Sequence, residues 1–269
     1  MRKVNQFAGY FMHCAESRSE ITNMKIVYHP TDITGSTNQL AMQLVGSAEQ
    51  DTIYVVSAKF QTAGRGQGNH SWEAIAGQNI LASFLVINPP ATVGEQFSLS
   101  HVIALAALNY IKNELPASDV KIKWPNDIYA DGRKIAGILI ENVMMGNQLK
   151  ASVMGIGLNV NQKLFSPELD NAVSLIFKDA RERDISAEIE KLASEFVVQY
   201  EKLKQRQAEL LHQHYDNYLF AKGNRHSFLL DGEQIICQIL GTHIDGKIRL
   251  LMPDGTEKGF YHHEIEWMK

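Results

Sequence analysis

Cysteine is scarce in this chain, and its scarcity excludes proteins that depend on many cysteines. Cys14 and Cys237 are the two cysteines among 269 residues, and they lie far apart in the sequence. Two distant cysteines cannot supply the dense disulfide framework of a small secreted protein or a four-cysteine metal site. We therefore expect a protein of a reducing compartment, the cytoplasm.

Strong positive charge and long apolar runs are also absent. The 26 Lys and Arg residues against 30 Asp and Glu residues give a formal net charge of −4. The sequence therefore lacks the basic field that holds nucleic-acid phosphates. No apolar stretch reaches the ~18 residues of a membrane span, and the short run "FAGYFMHCA" lacks the longer apolar core of a signal peptide. We predict neither a DNA partner nor a membrane partner.

The rest of the chain alternates between strand-like and helix-like patterns. Runs rich in β-branched and aromatic residues predict strands, and periodic apolar residues predict helices. Strands are predicted at 24–29, 52–60, 79–87 and 120–125, and a hairpin at 133–145 and 149–160. Helices are predicted at 36–48, 98–115 and, as one helix or two, 186–219. The mixture predicts an α+β domain with a mixed, largely antiparallel sheet.

The pattern changes after Lys222. Short β-like runs follow, separated by Asp-Gly pairs at 231–232, 245–246 and 254–255. Asp-Gly between alternating apolar runs is a strong hairpin signal. We therefore predict a small all-β barrel at residues 222–269, a main domain at 24–221 and an N-terminal extension at 1–23.

The segment "QTAGRGQGNHSW", residues 61–72, is the first candidate for a binding site. Gly64, Gly66 and Gly68 follow a predicted strand, and Arg65 lies between two of them. Closely spaced glycines allow the backbone to approach a ligand, and a single cation among them favours an anionic one. The spacing is not that of a dinucleotide loop, because Asn69 takes the last position. An ordinary surface loop is the alternative.

The segment "KWPNDIYADGRKIAGILIEN", residues 123–142, is the second candidate. Pro125 ends a predicted strand, Asn126 and Asp127 follow it, and Lys134 begins the next strand after a turn. A turn back to the same sheet could bring Asn126, Asp127 and Lys134 together, with Lys134 donating to an anion. A surface hairpin with solvated charges is the alternative. The histidines lack metal-ligand spacing, so metal ligands are left unassigned.

Taken together, "GRGQGNHSW" and "KWPNDIYADGRKIAGILIE" resemble the biotin protein ligases, also called biotin–acetyl-CoA-carboxylase ligases. "STNQLA" and "GIGLNVN" support the resemblance, as does the C-terminal β-rich region, and the matching segments occur in the same order from Met24 to Lys269. The resemblance implies a class II synthetase-like catalytic domain followed by an SH3-like barrel.

The resemblance also implies a reaction. Enzymes of this family condense biotin with MgATP to give biotinyl-5′-AMP and pyrophosphate, and then pass biotin to one lysine of a biotin carboxyl carrier protein. The first step gathers negative charge at phosphorus, which fixed cations stabilise. Arg65 and Lys134 are the catalytic residues that the resemblance implies, and neither needs to act as a nucleophile. A homodimer is a further possibility.

The matching positions imply the contacts of each substrate. Biotin contacts are implied for Ser36, Thr37, Asn38, Gln61, Arg65, Gly66, Gln67 and Lys134. ATP and adenylate contacts are implied for Gly64, Arg65, Trp72, Asn126, Asp127, Lys134, Gly137 and Asn159. Within these sets Trp72 is expected beside the adenine, and Lys134 is expected to touch both the biotin carboxylate and a phosphate.

The sequence departs from the family pattern in two places. The family loop often reads G-R-G-R-x-G-R-x-W, whereas Gln67 and His70 occupy two of its arginine positions and Gly68-Asn69 replaces the usual order. Closure of the loop and retention of the adenylate are therefore open questions. Some family members carry an N-terminal winged helix, but only 23 residues precede Met24. We expect a form that lacks the DNA-binding domain.

Three alternatives stay open at this stage. A lipoate or octanoate protein ligase would share the fold, but its motifs would differ from the Lys-Trp-Pro-Asn-Asp run. A biotin-dependent DNA-binding regulator is disfavoured by the acidic balance of charge. A biotin-binding module without turnover is conceivable because of the loop departures, and biotin-dependent release of pyrophosphate would distinguish it from an enzyme.

Overall fold

The computed structural model describes residues 15–18, 24–68 and 70–268. Most of the predicted N-terminal extension therefore lies outside the described residues, and so does Asn69 of the glycine loop. The described part of the extension is one strand, β1 (Ala15–Arg18), which pairs antiparallel with the strand that follows it in the chain.

Eight described strands form one mixed sheet. After β1 these are β2 (Lys25–Thr34), β3 (Thr52–Gln61), β4 (Asn79–Ile87), β5 (Val120–Lys123), β6 (Asp127–Ala130), β7 (Arg133–Met145) and β8 (Gln148–Asn159). Their order in the sheet is β1-β2-β3-β4-β8-β7-β6-β5. β2 and β3 run parallel and the other paired neighbours run antiparallel. The predicted mixed, largely antiparallel sheet is confirmed.

Helices cover both faces of this sheet. On one face lie α2 (Phe97–Glu114) and α4 (Ile185–Lys204), where Phe84 of β4 stacks on Phe196 of α4 with ring centroids 4.4 Å apart. On the other face α1 (Thr37–Leu44), which connects β2 to β3, covers a smaller apolar cluster that includes Leu85. Because its two faces are both covered, β4 is buried along nearly its whole length, which explains its continuous apolar sequence.

The remaining helices are short. α3 (Ile176–Asp179) and α5 (Ala208–Asn217) flank α4, and two 3-10 helices occur at Val93–Glu95 and Pro167–Leu169. The helical segment predicted at 186–219 is thus two helices, α4 and α5, which are separated near Arg206, a residue with φ of +59°. Among the described residues, no helix is both long and apolar enough to cross a membrane.

The C-terminal region forms a second, antiparallel sheet. Its strands are β9 (Arg225–Leu230), β10 (Glu233–Thr242), β11 (Ile248–Leu251), β12 (Glu257–Phe260) and β13 (Glu266–Trp267), in the order β12-β11-β10-β9-β13. Each Asp-Gly pair lies between two consecutive paired strands, as its sequence predicts. Within the described residues β12 does not pair with β13, so the sheet is open and does not close into the expected barrel.

The C-terminal sheet shares an apolar core with the main sheet. Phe228 and Ile239 belong to the same buried cluster as Trp124, which directly precedes the Pro-Asn-Asp turn. Trp124 Nε1 donates to the Gly246 carbonyl at 2.8 Å, and Trp267 Nε1 donates to the Trp124 carbonyl at 3.0 Å. The C-terminal sheet thus holds Trp124 by two hydrogen bonds. The domain boundary at 221–222 remains a prediction.

Loss of one of these bonds should be measurable. We expect Trp267→Phe to lower the free energy of unfolding by about 1 kcal/mol, because the Trp124 carbonyl loses its indole donor while the aromatic ring is kept. The ring contact with Phe228, at 4.9 Å between centroids, should survive. Urea unfolding measures the effect, and the slope against urea should not change because the same surface is exposed. An unchanged midpoint would show that this hydrogen bond contributes nothing.

Candidate active site

The glycine loop follows β3 and folds back on itself. The Gly66 N–H donates to the His70 carbonyl at 2.7 Å, and the Trp72 N–H donates to the Gly64 carbonyl at 3.0 Å. A Cβ at Gly64 would lie 2.5 Å from the Trp72 carbonyl oxygen, so this close approach of two backbone segments requires glycine. The loop therefore holds Arg65 and Trp72 on opposite sides of a narrow turn.

The second segment forms β5, β6 and the start of β7. Two hydrogen bonds of 2.8 Å join Asn126 to Ile138 of β7. The Ile138 N–H donates to the Asn126 carbonyl, and Asn126 Nδ2 donates to the Ile138 carbonyl. The ammonium of Lys134 lies 2.7 Å from Asp127 Oδ1. The structure thus brings Asn126, Asp127 and Lys134 together, as the turn in the sequence predicts.

The two segments meet around one cavity of about 320 Å³. The cavity is lined by Ser36, Thr37, Asn38, Gln61, Arg65, Gly66, Gln67, His70, Ser71, Trp72, Asn126, Asp127, Lys134, Gly137, Ile138, Leu139, Gly155, Ile156 and Gly157. Of the predicted site residues, Gly64 and Asn159 are the two that do not contribute to this lining. The residues predicted to contact biotin and those predicted to contact ATP therefore surround one space.

One end of the cavity is a buried polar network at the start of α1. The Thr37 N–H donates to Gln61 Oε1 at 2.7 Å. Ser83 Oγ lies 2.8 Å from Thr37 Oγ1 and 2.6 Å from Asn38 Oδ1. Ser83 was not among the predicted residues. Its signal was a hydroxyl in the middle of the apolar run of β4, where a buried polar group needs a partner.

The other end is built around Trp72. Its ring lies over Gly137 and Gly157, two residues that face each other across β7 and β8. A Cβ at Gly157 would lie 2.2 Å from Trp72 Cε2, so the ring occupies the space that a side chain would take. The Lys134 ammonium is 5.9 Å from the ring centroid. A planar ligand beside Trp72 would therefore lie close to this cation.

Arg65 has a partner that the sequence did not reveal. Its Nη2 lies 2.6 Å from Glu141 Oε2, and the same carboxylate oxygen accepts a hydrogen bond from Asn38 Nδ2 at 2.8 Å. Glu141 lies on β7, far along the chain from both partners. Long-range pairing between β7, the loop and α1 creates this contact, and no local pattern predicts it.

Asn159 does not line the cavity but supports a neighbouring segment of the chain. Its Nδ2 donates to the Val173 carbonyl at 3.0 Å. The Val173 N–H in turn donates to the Lys134 carbonyl at 2.9 Å, and the Lys134 N–H donates to the Asn171 carbonyl at 2.8 Å. Asn159 therefore supports the segment that holds the Lys134 backbone. A direct contact of Asn159 with a nucleotide remains a prediction.

Metal ligands are not evident at the site. Among the described residues, no group of three or more His, Cys, Asp or Glu side chains could hold a metal ion.

A known family model matches the part of the chain that holds the candidate site. Residues 31–159 match the model of the Biotin/lipoate A/B protein ligase family, and this range contains both motif segments and the polar network. This part of the chain is therefore similar to the biotin/lipoate A/B protein ligase family.

Curated relatives match over part of their length. The bifunctional ligase/repressor BirA of Bacillus subtilis (strain 168) is 31% identical over 168 residues, which are 62% of this chain and 50% of that protein. The biotin–[acetyl-CoA-carboxylase] ligase of Paracoccus denitrificans is 37% identical over 128 residues, which are 47% of this chain and 52% of that protein. The chain thus spans about half the length of these relatives.

A solved structure matches over nearly the whole chain. The biotin protein ligase of Aquifex aeolicus, in complex with biotin and ATP, superimposes with a TM-score of 0.74 over 90% of this chain and 98% of that one. The two sequences are 22% identical over this alignment. At this identity the likeness establishes the fold, including the C-terminal sheet.

Proposed function

We propose that this protein is an ATP-dependent biotin protein ligase. In the first step a biotin carboxylate oxygen attacks the α-phosphorus of ATP, giving biotinyl-5′-AMP and releasing pyrophosphate. In the second step the ε-amine of a carrier lysine attacks the acyl carbon of this mixed anhydride. An amide bond forms, AMP leaves and the amine gives up a proton. Magnesium enters with the nucleotide as MgATP, since phosphates and water supply most ligands of this ion.

The observation that carries the proposal is the position of two cations on one cavity. Arg65 reaches it from the glycine loop and Lys134 from β7, while the polar network at Asn38 closes one end. The Lys134 ammonium forms an ion pair with Asp127 and carries three N–H donors, which can bind carboxylate and phosphate oxygens of a ligand. Fixed donors around developing charge are what formation of an acyl adenylate requires.

The polar network favours biotin over lipoate as the acid. Asn38 and Ser83 are nearly or fully buried, and each has its polar atoms inside the network. A buried polar surface favours a ligand that can form hydrogen bonds there, as the cyclic urea of biotin can. The dithiolane ring of lipoate offers no comparable donor. This contrast makes lipoate the natural competitor in a test of the proposal.

One experiment tests the function directly. The protein is incubated with MgATP, a biotin carboxyl carrier domain and either biotin or lipoate, and intact mass and pyrophosphate are measured. We expect a biotin adduct on one carrier lysine and pyrophosphate release that depends on biotin. An adduct from lipoate alone would favour the lipoate ligase. Binding of biotin without pyrophosphate release would favour a binding module without turnover.

The biological setting is also a proposal. We propose that the protein acts in the cytoplasm on a carboxyl carrier protein, without a DNA or membrane partner, and a homodimer is a possible form. A gel shift in the presence of biotin and ATP would reveal a DNA-binding regulator, and light scattering gives the oligomeric state.

Removal of the Arg65 charge should slow the first step. We expect Arg65→Ala to form the adenylate about 10- to 100-fold more slowly, because one donor to the developing charge is lost. Glu141 would at the same time lose its partner, at 2.6 Å in the native protein. Biotin-dependent pyrophosphate release measures the rate. Unchanged release would remove Arg65 from the proposed site.

A further inference from the structure

Glu141 joins two parts of the site that are distant in sequence. Its Oε2 accepts a hydrogen bond of 2.6 Å from Arg65 of the glycine loop and one of 2.8 Å from Asn38 of α1. Both partners line the cavity, whereas Glu141 lies behind them and is not among the lining residues. Its side chain is 28% exposed. Glu141 therefore reaches a ligand of this cavity through contacts with Arg65 and Asn38 and not by touching it.

The contact with Glu141 fixes how Asn38 can bind a ligand. One hydrogen of Asn38 Nδ2 is directed to Glu141 and the other to the Leu139 carbonyl, at 3.2 Å. Because a side-chain amide has two N–H donors, both are then used. Oδ1 receives one bond from Ser83 and keeps a second acceptor position. Asn38 can consequently present an acceptor to a ligand, but no donor.

The same carboxylate fixes the guanidinium of Arg65. Charge-assisted hydrogen bonds of this kind are short and directional, and the bond to Glu141 uses Nη2. Among the described residues, the other guanidinium donors form no further side-chain hydrogen bond with the protein. They remain available to an anionic group of a ligand. The Glu141 carboxylate thus holds the Asn38 amide, with its free acceptor, next to the Arg65 guanidinium.

We infer that Glu141 is a positioning residue that makes the site selective for acids carrying an N–H donor at their far end. Such an acid, for example one with a cyclic urea, matches the fixed acceptor of Asn38. An acid of similar length without that donor leaves the acceptor unpaired, which carries a penalty in a buried site. The inference rests on the proposed function, because it takes biotin as the ligand of this cavity.

Calorimetric binding without ATP tests the selectivity. We expect Glu141→Ala to weaken biotin by about tenfold and lipoate by clearly less, since both acids can use the Arg65 cation but only biotin uses the oriented acceptor. In an Asn38→Ala background the same change should weaken biotin no more than it weakens lipoate. Glu141→Gln should recover part of the affinity, because its carbonyl oxygen can still accept. Equal weakening of both acids, or additive effects in the double variant, would overturn the inference.

A second measurement needs no ligand. Trypsin can cleave after Arg65, and release of that side chain from Glu141 should raise the cleavage rate at this bond, measured by mass spectrometry. The matched control is Glu257→Ala, which breaks an Arg–Glu pair of the same 2.6 Å length with Arg249 in the C-terminal sheet. Cleavage after Arg65 should increase in Glu141→Ala and not in the control. Equal rates would contradict the contact with Glu141, whereas failure of wild type to bind biotin would contradict the proposed function instead.

Discussion

Lys134→Ala should form the adenylate about 1,000-fold more slowly than wild type, a loss of roughly 4 kcal/mol of stabilisation in the transition state. Two effects combine in this variant. The cation that can contact both reacting anions is lost, and Asp127, 2.7 Å away in the native protein, is left as an unpaired negative charge. That charge would repel the carboxylate and the phosphates. Biotin binding should therefore weaken as well.

The fold of this variant should not change. Lys134 is held by backbone hydrogen bonds to Asn171 and Val173, and its side chain is 36% exposed. Thermal unfolding close to that of wild type is the expected control. Lys150→Ala, which removes an exposed ammonium from β8 outside the cavity, should retain full activity.

Separate measurement of the two steps makes the prediction specific. Presynthesised biotinyl-5′-AMP should restore transfer to the carrier in part, because the impaired step is bypassed. Lys134→Arg should restore little, because a planar fork does not replace a compact charge at a point shared by two anions. Single-turnover rates decide the matter. Equal rates of adenylate formation in wild type and Lys134→Ala would favour the alternative interpretation of residues 123–142, a surface hairpin with solvated charges.

Local patterns predicted the elements whose determinants are local. The Asp-Gly pairs predicted three hairpin turns, and the hairpin predicted at 133–145 and 149–160 is confirmed by β7 and β8, where Met145 pairs with Gln148. Turn geometry depends on a few adjacent residues, so it can be inferred from sequence alone. The order of the strands could not be inferred in this way, because β4 pairs with β8, and α2, β5, β6 and β7 lie between these two strands in the chain.

The site shows the same division. Motif residues were found because the two loops are contiguous in sequence, and the structure places most of them on one cavity. Ser83 and Glu141 were missed because their partners are distant in the sequence. Ser83 is 45 residues from Asn38, and Glu141 is 76 residues from Arg65. Such contacts depend on strand pairing and packing, which a single sequence does not display.

Substitution of the two glycines in "GIGLN", Gly155 and Gly157, should affect the two substrates differently. Gly155 and Gly157 lie two residues apart on β8 and therefore face the same side of the sheet. A Cβ at Gly155 would lie 2.2 Å from Asn38 Oδ1, whereas a Cβ at Gly157 would lie 2.2 Å from Trp72 Cε2. One methyl group at each position thus meets a different end of the cavity.

We expect a crossed pattern of defects. Gly157→Ala should displace the Trp72 ring and weaken ATP by about 100-fold, or ~2.7 kcal/mol, with a smaller effect on biotin. Gly155→Ala should instead weaken biotin, because Asn38 is only 4% exposed and is held by Ser83, so its amide cannot move aside without losing hydrogen bonds. Calorimetry with biotin, and the KM for ATP in pyrophosphate release, measure the two effects separately.

The matched control is Gly94→Ala. Gly94 has no positive φ, and a methyl group added there would have no neighbour within 4 Å, so the same chemical change should alter the binding of neither ligand. The crossed pattern is the decisive feature, because general destabilisation of β8 would weaken both ligands in both variants. If Gly155→Ala and Gly157→Ala reduced biotin and ATP binding in equal proportion, the assignment of Asn38 to the acid and Trp72 to the nucleotide would be wrong. If Gly157→Ala weakened mainly ATP binding and Gly155→Ala mainly biotin binding, Gly155 and Gly157 of β8 would lie beneath two different substrates. The spacing of these two glycines would then account for how one cavity holds both substrates next to each other.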